Sequence, residues 1–162
     1  MFQRTGLASR ATPLNTALGL MIKHFAWILM SLGALACATT PVLFAKASPV
    51  PKDRLFPGSD RFSEHKEGTV RVIVVRDTGM LGSGVRTEFR IDGDPIATLW
   101  TSERLELFLP IGQHIFSVAP SPRLGGALVE TAFTLESGRS YAFRIGSPGT
   151  GALAFQPSTE LE

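Results

Sequence analysis

The sequence predicts an all-β protein: an immunoglobulin-like or transthyretin-like β-sandwich of seven to eight strands, behind an export signal and a proline-containing tether. Three observations predict it. From Thr69 onward the apolar residues recur with a period of two. Glycine, proline and aspartate break that pattern into short segments. No window carries a helical period of useful length. The 162 residues are 44% hydrophobic and 19% charged, enough apolar surface for one folded core rather than a disordered chain.

The front end reads as a removable leader. In "MIKHFAWILMSLGALAC" a short basic region at Lys23 precedes an apolar run from Phe25 and then small residues, the order of an export signal. The run from Phe25 to Ala36 is too short to span a bilayer of about 30 Å as a helix. A signal starts at the initiator, so Met21 is the expected start and residues 1–20 an over-extended gene model. Two cleavage points compete. "ALAC", Ala34 to Cys37, resembles the lipobox of bacterial lipoproteins, although Ala34 and Leu35 invert its usual order. That resemblance implies a signal peptide over 21–36, a diacylglycerol on the Cys37 thiol and a further acyl chain on its amine. Together these chains make a stable membrane anchor. Ala38, where inner-membrane lipoproteins carry Asp, points to the outer membrane. The rival is the Ala-x-Ala site at Ala45 and Ala47, which would release a soluble secreted or periplasmic protein starting at Ser48.

Charge agrees with a leader. Arg4, Arg10 and Lys23 are the only charged residues before Cys37, and all 14 acidic residues follow it. A chain beginning at Cys37 carries 13 basic and 14 acidic residues, a net charge of −1 instead of the full chain's +2. The pI of about 9.0 therefore gives no basic patch for nucleic acid. One cysteine and three scattered histidines exclude an intramolecular disulfide and any multi-cysteine metal centre. No cofactor motif is present.

Residues 37–68 read as a tether, because Pro41, Pro49, Pro51 and Pro57 resist helix. Phe44, Leu55, Phe56 and Phe62 are more than a linker needs, so part of it is expected to pack on the domain. The sandwich is expected over 69–157, with a polar tail at 158–162. "TVRVIVVR" is apolar on both faces, as in a central strand. "VRTEFRID" alternates cleanly and runs into "IDGDP", an Asp-Gly hairpin signal. "IATLW" and "RLELFL" follow, and Pro110 and Gly112 break the chain before "HIFSVA". "ALVETAFTL", "SYAFRI" and "ALAFQ" complete the set.

"FRIDGDPIATLWTSERLELFLPIGQHIFSV" followed by "FTLESGRSYAFRI" resembles the PEGA-type surface domain and a related group of bacterial lipoproteins with a domain of unknown function. Asp92 and Gly93, Pro110, Gly112 and His114, and Gly138 and Tyr141 stand at the matching places across residues 69–146. Ile111 inside the Pro-Gly turn and Phe143 in place of a second tyrosine depart from the commoner pattern. The resemblance implies an envelope-associated β-domain and is silent on activity.

No residue set makes a catalytic site. His114 is the best single candidate for a general base, in a hydrolase that would recruit Ser83 or an aspartate. Yet Leu81 and Val85 occupy the glycine positions of a nucleophile elbow around Ser83. "GSPGTG" lacks the Lys-Ser/Thr of a phosphate loop. Asp92 and Asp94 are ordinary hairpin chemistry. Trp100 and Phe108 have the strand spacing of core residues. The expected role is a non-catalytic binding or scaffolding module, lipid-anchored to the membrane, for an envelope protein or polysaccharide partner. Its expected contact is the glycine-rich loop Met80, Leu81, Gly82, Ser83 and Gly84.

Overall fold

The computed structural model describes residues 39–79, 84–120, 126–147 and 152–159, and the sandwich is formed. Among the described residues nine strands make two sheets, the two-residue β1 adding to the seven to eight expected: β1 (Ser48–Pro49), β2 (Thr69–Arg76), β3 (Thr87–Ile91), β4 (Asp94–Leu99), β5 (Glu103–Pro110), β6 (Gly112–Pro120), β7 (Val129–Leu135), β8 (Tyr141–Gly146) and β9 (Ala154–Ser158). The orders are β1-β5-β2-β8-β9 and β4-β3-β6-β7. β2 lies between antiparallel β5 and parallel β8. An immunoglobulin sandwich pairs its first two long strands in one sheet, whereas β2 and β3 here lie in different sheets. The order departs from that of an immunoglobulin constant domain within an all-β sandwich of the expected class. β9 reaches Ser158, one residue into the expected tail.

Alternation explains the core. β3 buries Thr87, Phe89 and Ile91, and β5 buries Leu105, Leu107 and Leu109. Between the sheets Phe89, Phe116, Phe143 and Phe155 pack as one aromatic cluster, with ring centroids 5.0 to 6.1 Å apart. Such pairs add about 0.5–1.5 kcal/mol each beyond the area they bury. Asp92 (φ +53°) and Gly93 (φ +87°) form the two-residue turn that closes Ile91 on Asp94, a conformation that Asp-Gly adopts at low cost.

Trp100 and Phe108 correct the sequence reading. Trp100 falls just past β4, in the turn to β5, and is 38% exposed. Phe108 shares the outward phase of Arg104 and Glu106, half-buried, with its ring edge-on to His65. Neither belongs to the core: Trp100 lies beyond the strand, and for Phe108 spacing fixes the phase but not which phase faces inward.

The stretch expected as a tether is bound to the sandwich from Thr39 onward. Val42, Phe44 and the buried Ala47 cover Ile73 and Val75 on the outer face of β2. This explains why β2 is apolar on both faces. Arg104 fixes this strap by donating from Nη1 to the carbonyls of Phe44 (3.1 Å) and Ala47 (2.6 Å). β1 then pairs in parallel with β5, and Phe56 N–H donates to Ile96 O at 2.9 Å along the edge of β4. Proline discourages helix, but the segment's hydrophobic residues have a surface to cover, and covering it outweighs the loss of chain freedom.

Candidate functional site

Strand directions sort the connections to two ends. β2 and β8 finish, and β3, β5 and β9 begin, at the end where Thr39 is bound. The Asp92–Gly93 turn and the β5–β6 turn lie at the other.

At the first end, Thr39 is held by hydrogen bonds. Its N–H donates to Ser147 O (3.0 Å), its Oγ1 accepts from Ser147 N–H (3.0 Å), and Thr40 and Thr78 exchange backbone bonds. Gly146 is needed here, because a Cβ would stand 2.8 Å from Thr39 Oγ1. Beneath them Asp77 Oδ1 accepts from Arg144 Nη1 (2.8 Å) and Val42 N–H (3.1 Å), and the same Nη1 donates to Val42 O (2.9 Å). The ion pair is largely buried and joins the strap to β8. A cavity of about 220 Å³ lies among Thr39, Asp77, Arg144 and Gln156.

A shallow groove of about 540 Å³ lies at the same end, lined by Asp53, Arg54, Arg86, Trp100 and Glu103. Glu103 organises it, pairing with both terminal nitrogens of Arg54 and accepting Trp100 N–H at 2.8 Å. The guanidinium carbons of Arg86 and Arg54 lie 5.0 and 5.7 Å from the Trp100 ring centre, within cation–π range. Behind the turn Arg76 is buried, donating to Leu99 O at 2.8 Å. Burial lowers its pKa to about 10, with the nearby Glu103 carboxylate opposing the shift.

His114 lies at the opposite end. Nδ1 is 2.7 Å from Asp92 Oδ2, and Nε2 donates to Pro110 O at 3.0 Å. Each ring nitrogen faces an oxygen acceptor, so neither directs a lone pair at solvent. Asp92 also accepts Ile115 N–H on Oδ1 at 2.8 Å, fastening the hairpin turn to β6. Partial burial pushes the Asp92 pKa up, but the Ile115 and His114 hydrogen bonds, with the charges of His114 and Arg61, outweigh it and leave it below 3.8.

The expected site residues are thus divided. Met80, Leu81, Gly82 and Ser83 lie outside the described residues, as does Cys37. Gly84, which is described, is exposed just ahead of β3 at the Thr39 end. The five residues of β3, about 17 Å long, separate that end from the Asp92 turn and His114. Asp92 is within reach of His114 and ties the hairpin turn to β6.

Among the described residues no cluster of three or more His, Cys, Asp or Glu could hold a metal ion, and no helix is long and apolar enough to cross a membrane. Sequence reading missed Arg54, Arg86 and Glu103 around Trp100, and the Asp77–Arg144 pair. They come together from segments far apart in the chain, with no common spacing to mark them. Comparison with protein-family models, curated proteins and solved structures finds no match.

Proposed function

We propose that this protein is a lipid-anchored component of the bacterial cell envelope, held in the outer membrane through Cys37, whose β-sandwich binds an envelope partner without catalysis. One observation carries the anchor: the strap up to Ala47 is part of the fold. A mature chain beginning at Cys37 keeps it. A chain cut after Ala47 loses Val42, Phe44 and Ala47 from the face of Ile73 and Val75, and takes Val42 from the Asp77–Arg144 pair. That packing supports the lipoprotein cleavage point over the one after Ala47. Expression with the native leader and labelled fatty acid, followed by intact-mass analysis, tests it. Label on the wild type, none on Cys37→Ser and a mature start at Cys37 are expected. An unlabelled product beginning at Ser48 would refute the anchor.

Binding is supported by how the sheet edges are protected. β1 is two residues long and includes Pro49, β9 contains Pro157, and Leu55 and Phe56 run along β4. β7 is seven residues long, contains no proline, and among the described residues pairs only with β6. The occupant such an edge fits is an extended segment of another envelope protein, added as a further strand. Neighbouring residues of a strand direct their N–H groups to opposite sides, so Thr131→Pro and Ala132→Pro separate the two edges of β7. A photocrosslinker at Thr134 should capture the partner in cells, and the proline facing outward should abolish capture without lowering the Tm. Undiminished capture by both variants would exclude strand addition.

A further inference from the structure

Cys37 is two residues before Thr39, so its Cα lies within about 7 Å of a residue fixed by hydrogen bonds. A lipid on Cys37 thus leaves no tether of thirty residues. It leaves a leash shorter than one strand. Resting on the anchor proposed above, we infer that the Thr39 end of the sandwich sits directly on the bilayer, with Trp100, Arg54 and Arg86 at the headgroup level.

The groove residues suit that position. Trp100 is exposed at the turn between β4 and β5, and Ser102 N–H donates to Arg76 O (2.9 Å), placing that turn beside the end of β2. Indole favours the membrane–water interface, and arginine beside it can reach lipid phosphates while its stem lies along the ring. Arg86 at 5.0 Å and Arg54 at 5.7 Å from the ring make that arrangement. The opposite end is far from lipid: β2 alone, eight residues long, spans about 26 Å. Ile111, 48% exposed, stands there beside the β5–β6 turn. Gly79 and Gly84, the described residues on either side of the expected partner loop, lie at the Thr39 end, and the β7 edge along the side of the sandwich remains open to a partner.

The two tryptophans of the chain are Trp27 and Trp100, and cleavage at Cys37 removes the first. The processed protein therefore carries one native probe. The full chain, expressed with its leader and purified, is placed in vesicles of phosphatidylethanolamine and phosphatidylglycerol with brominated acyl chains. Trp100 emission should shift to the blue and be quenched several-fold more than that of an Ile111→Trp probe in a Trp100→Phe background. Arg86→Glu should weaken the Trp100 quenching. Equal quenching at both ends, or stronger quenching of the Ile111→Trp probe, overturns the inference while leaving the anchor intact. Absence of an acyl mass on Cys37 refutes the anchor itself, and the inference with it. A chain started at Thr39, which lacks both the anchor and Trp27, should show no quenching at either end. Quenching of Trp100 in that chain as strong as in the acylated protein would overturn the leash as its cause.

Discussion

At the scale of single residues, Asp92 joins the hairpin turn to β6. It supplies the left-handed turn conformation with φ +53°, accepts Ile115 N–H and faces His114. Its folded pKa lies below 3.8, so its ionised form is favoured by the fold. The stability it contributes is therefore complete above the unfolded value and is lost as pH falls through the folded one. Asn tolerates the same backbone and cannot ionise, so Asp92→Asn isolates the charge. Urea midpoints of wild type and variant should differ at pH 6 to 7 and converge as the pH drops below 3.8. A difference that persists unchanged into acid would assign the effect to turn geometry instead. His114, which sequence reading offered as a base, is on this account a structural partner of that turn.

At the scale of elements, the eight long strands were legible from alternation and from the turn residues between them, even in β2, where both phases are buried. β3 and β5 show the alternation directly, and Asp-Gly marks the β3–β4 turn because few other residue pairs adopt two positive φ values in sequence. The strap was not legible. Its prolines signal extended chain, and nothing local distinguishes an extended chain in solvent from one laid on a sheet. What could have signalled it was the second apolar phase of β2, since Ile73 and Val75 need a cover that alternation alone does not provide. The Asp77–Arg144 pair holds the strap's upstream half. Asp77→Ala takes the carboxylate from a largely buried guanidinium that keeps its bonds to Val42 O and Ser158, a loss of about 1.5–3 kcal/mol. Alongside a lower urea midpoint, trypsin should cut faster after Lys46, whose turn lies in the strap. Unchanged cleavage there would show the strap held by Arg104 and Phe44 alone.

At the scale of the whole molecule, the N-terminal segment joins address to fold. Under the proposed anchor, where the mature chain begins matters to the fold, because Thr39 and Thr40 bind the end of the sandwich and the next few residues cover β2. A protein started at Ser48 keeps all nine strands but uncovers Ile73 and Val75, now 0% and 4% exposed. Exposing a buried aliphatic side chain costs about 1.5–3 kcal/mol, so the pair sets a loss of about 3 kcal/mol or more once the Val42 contacts go as well. Some of that loss is offset by the freedom a nine-residue strap would regain. The net expectation is a Tm several degrees lower for the Ser48 start than for a Thr39 start, together with binding of a hydrophobic dye to the bared face of β2. The Thr39 start is the control, since it retains the strap and lacks only the lipid. Equal Tm and no dye binding would mean that the strap contributes nothing to folding. Packing would then no longer distinguish the two cleavage points, and the anchor at Cys37 would stand on the lipobox resemblance alone.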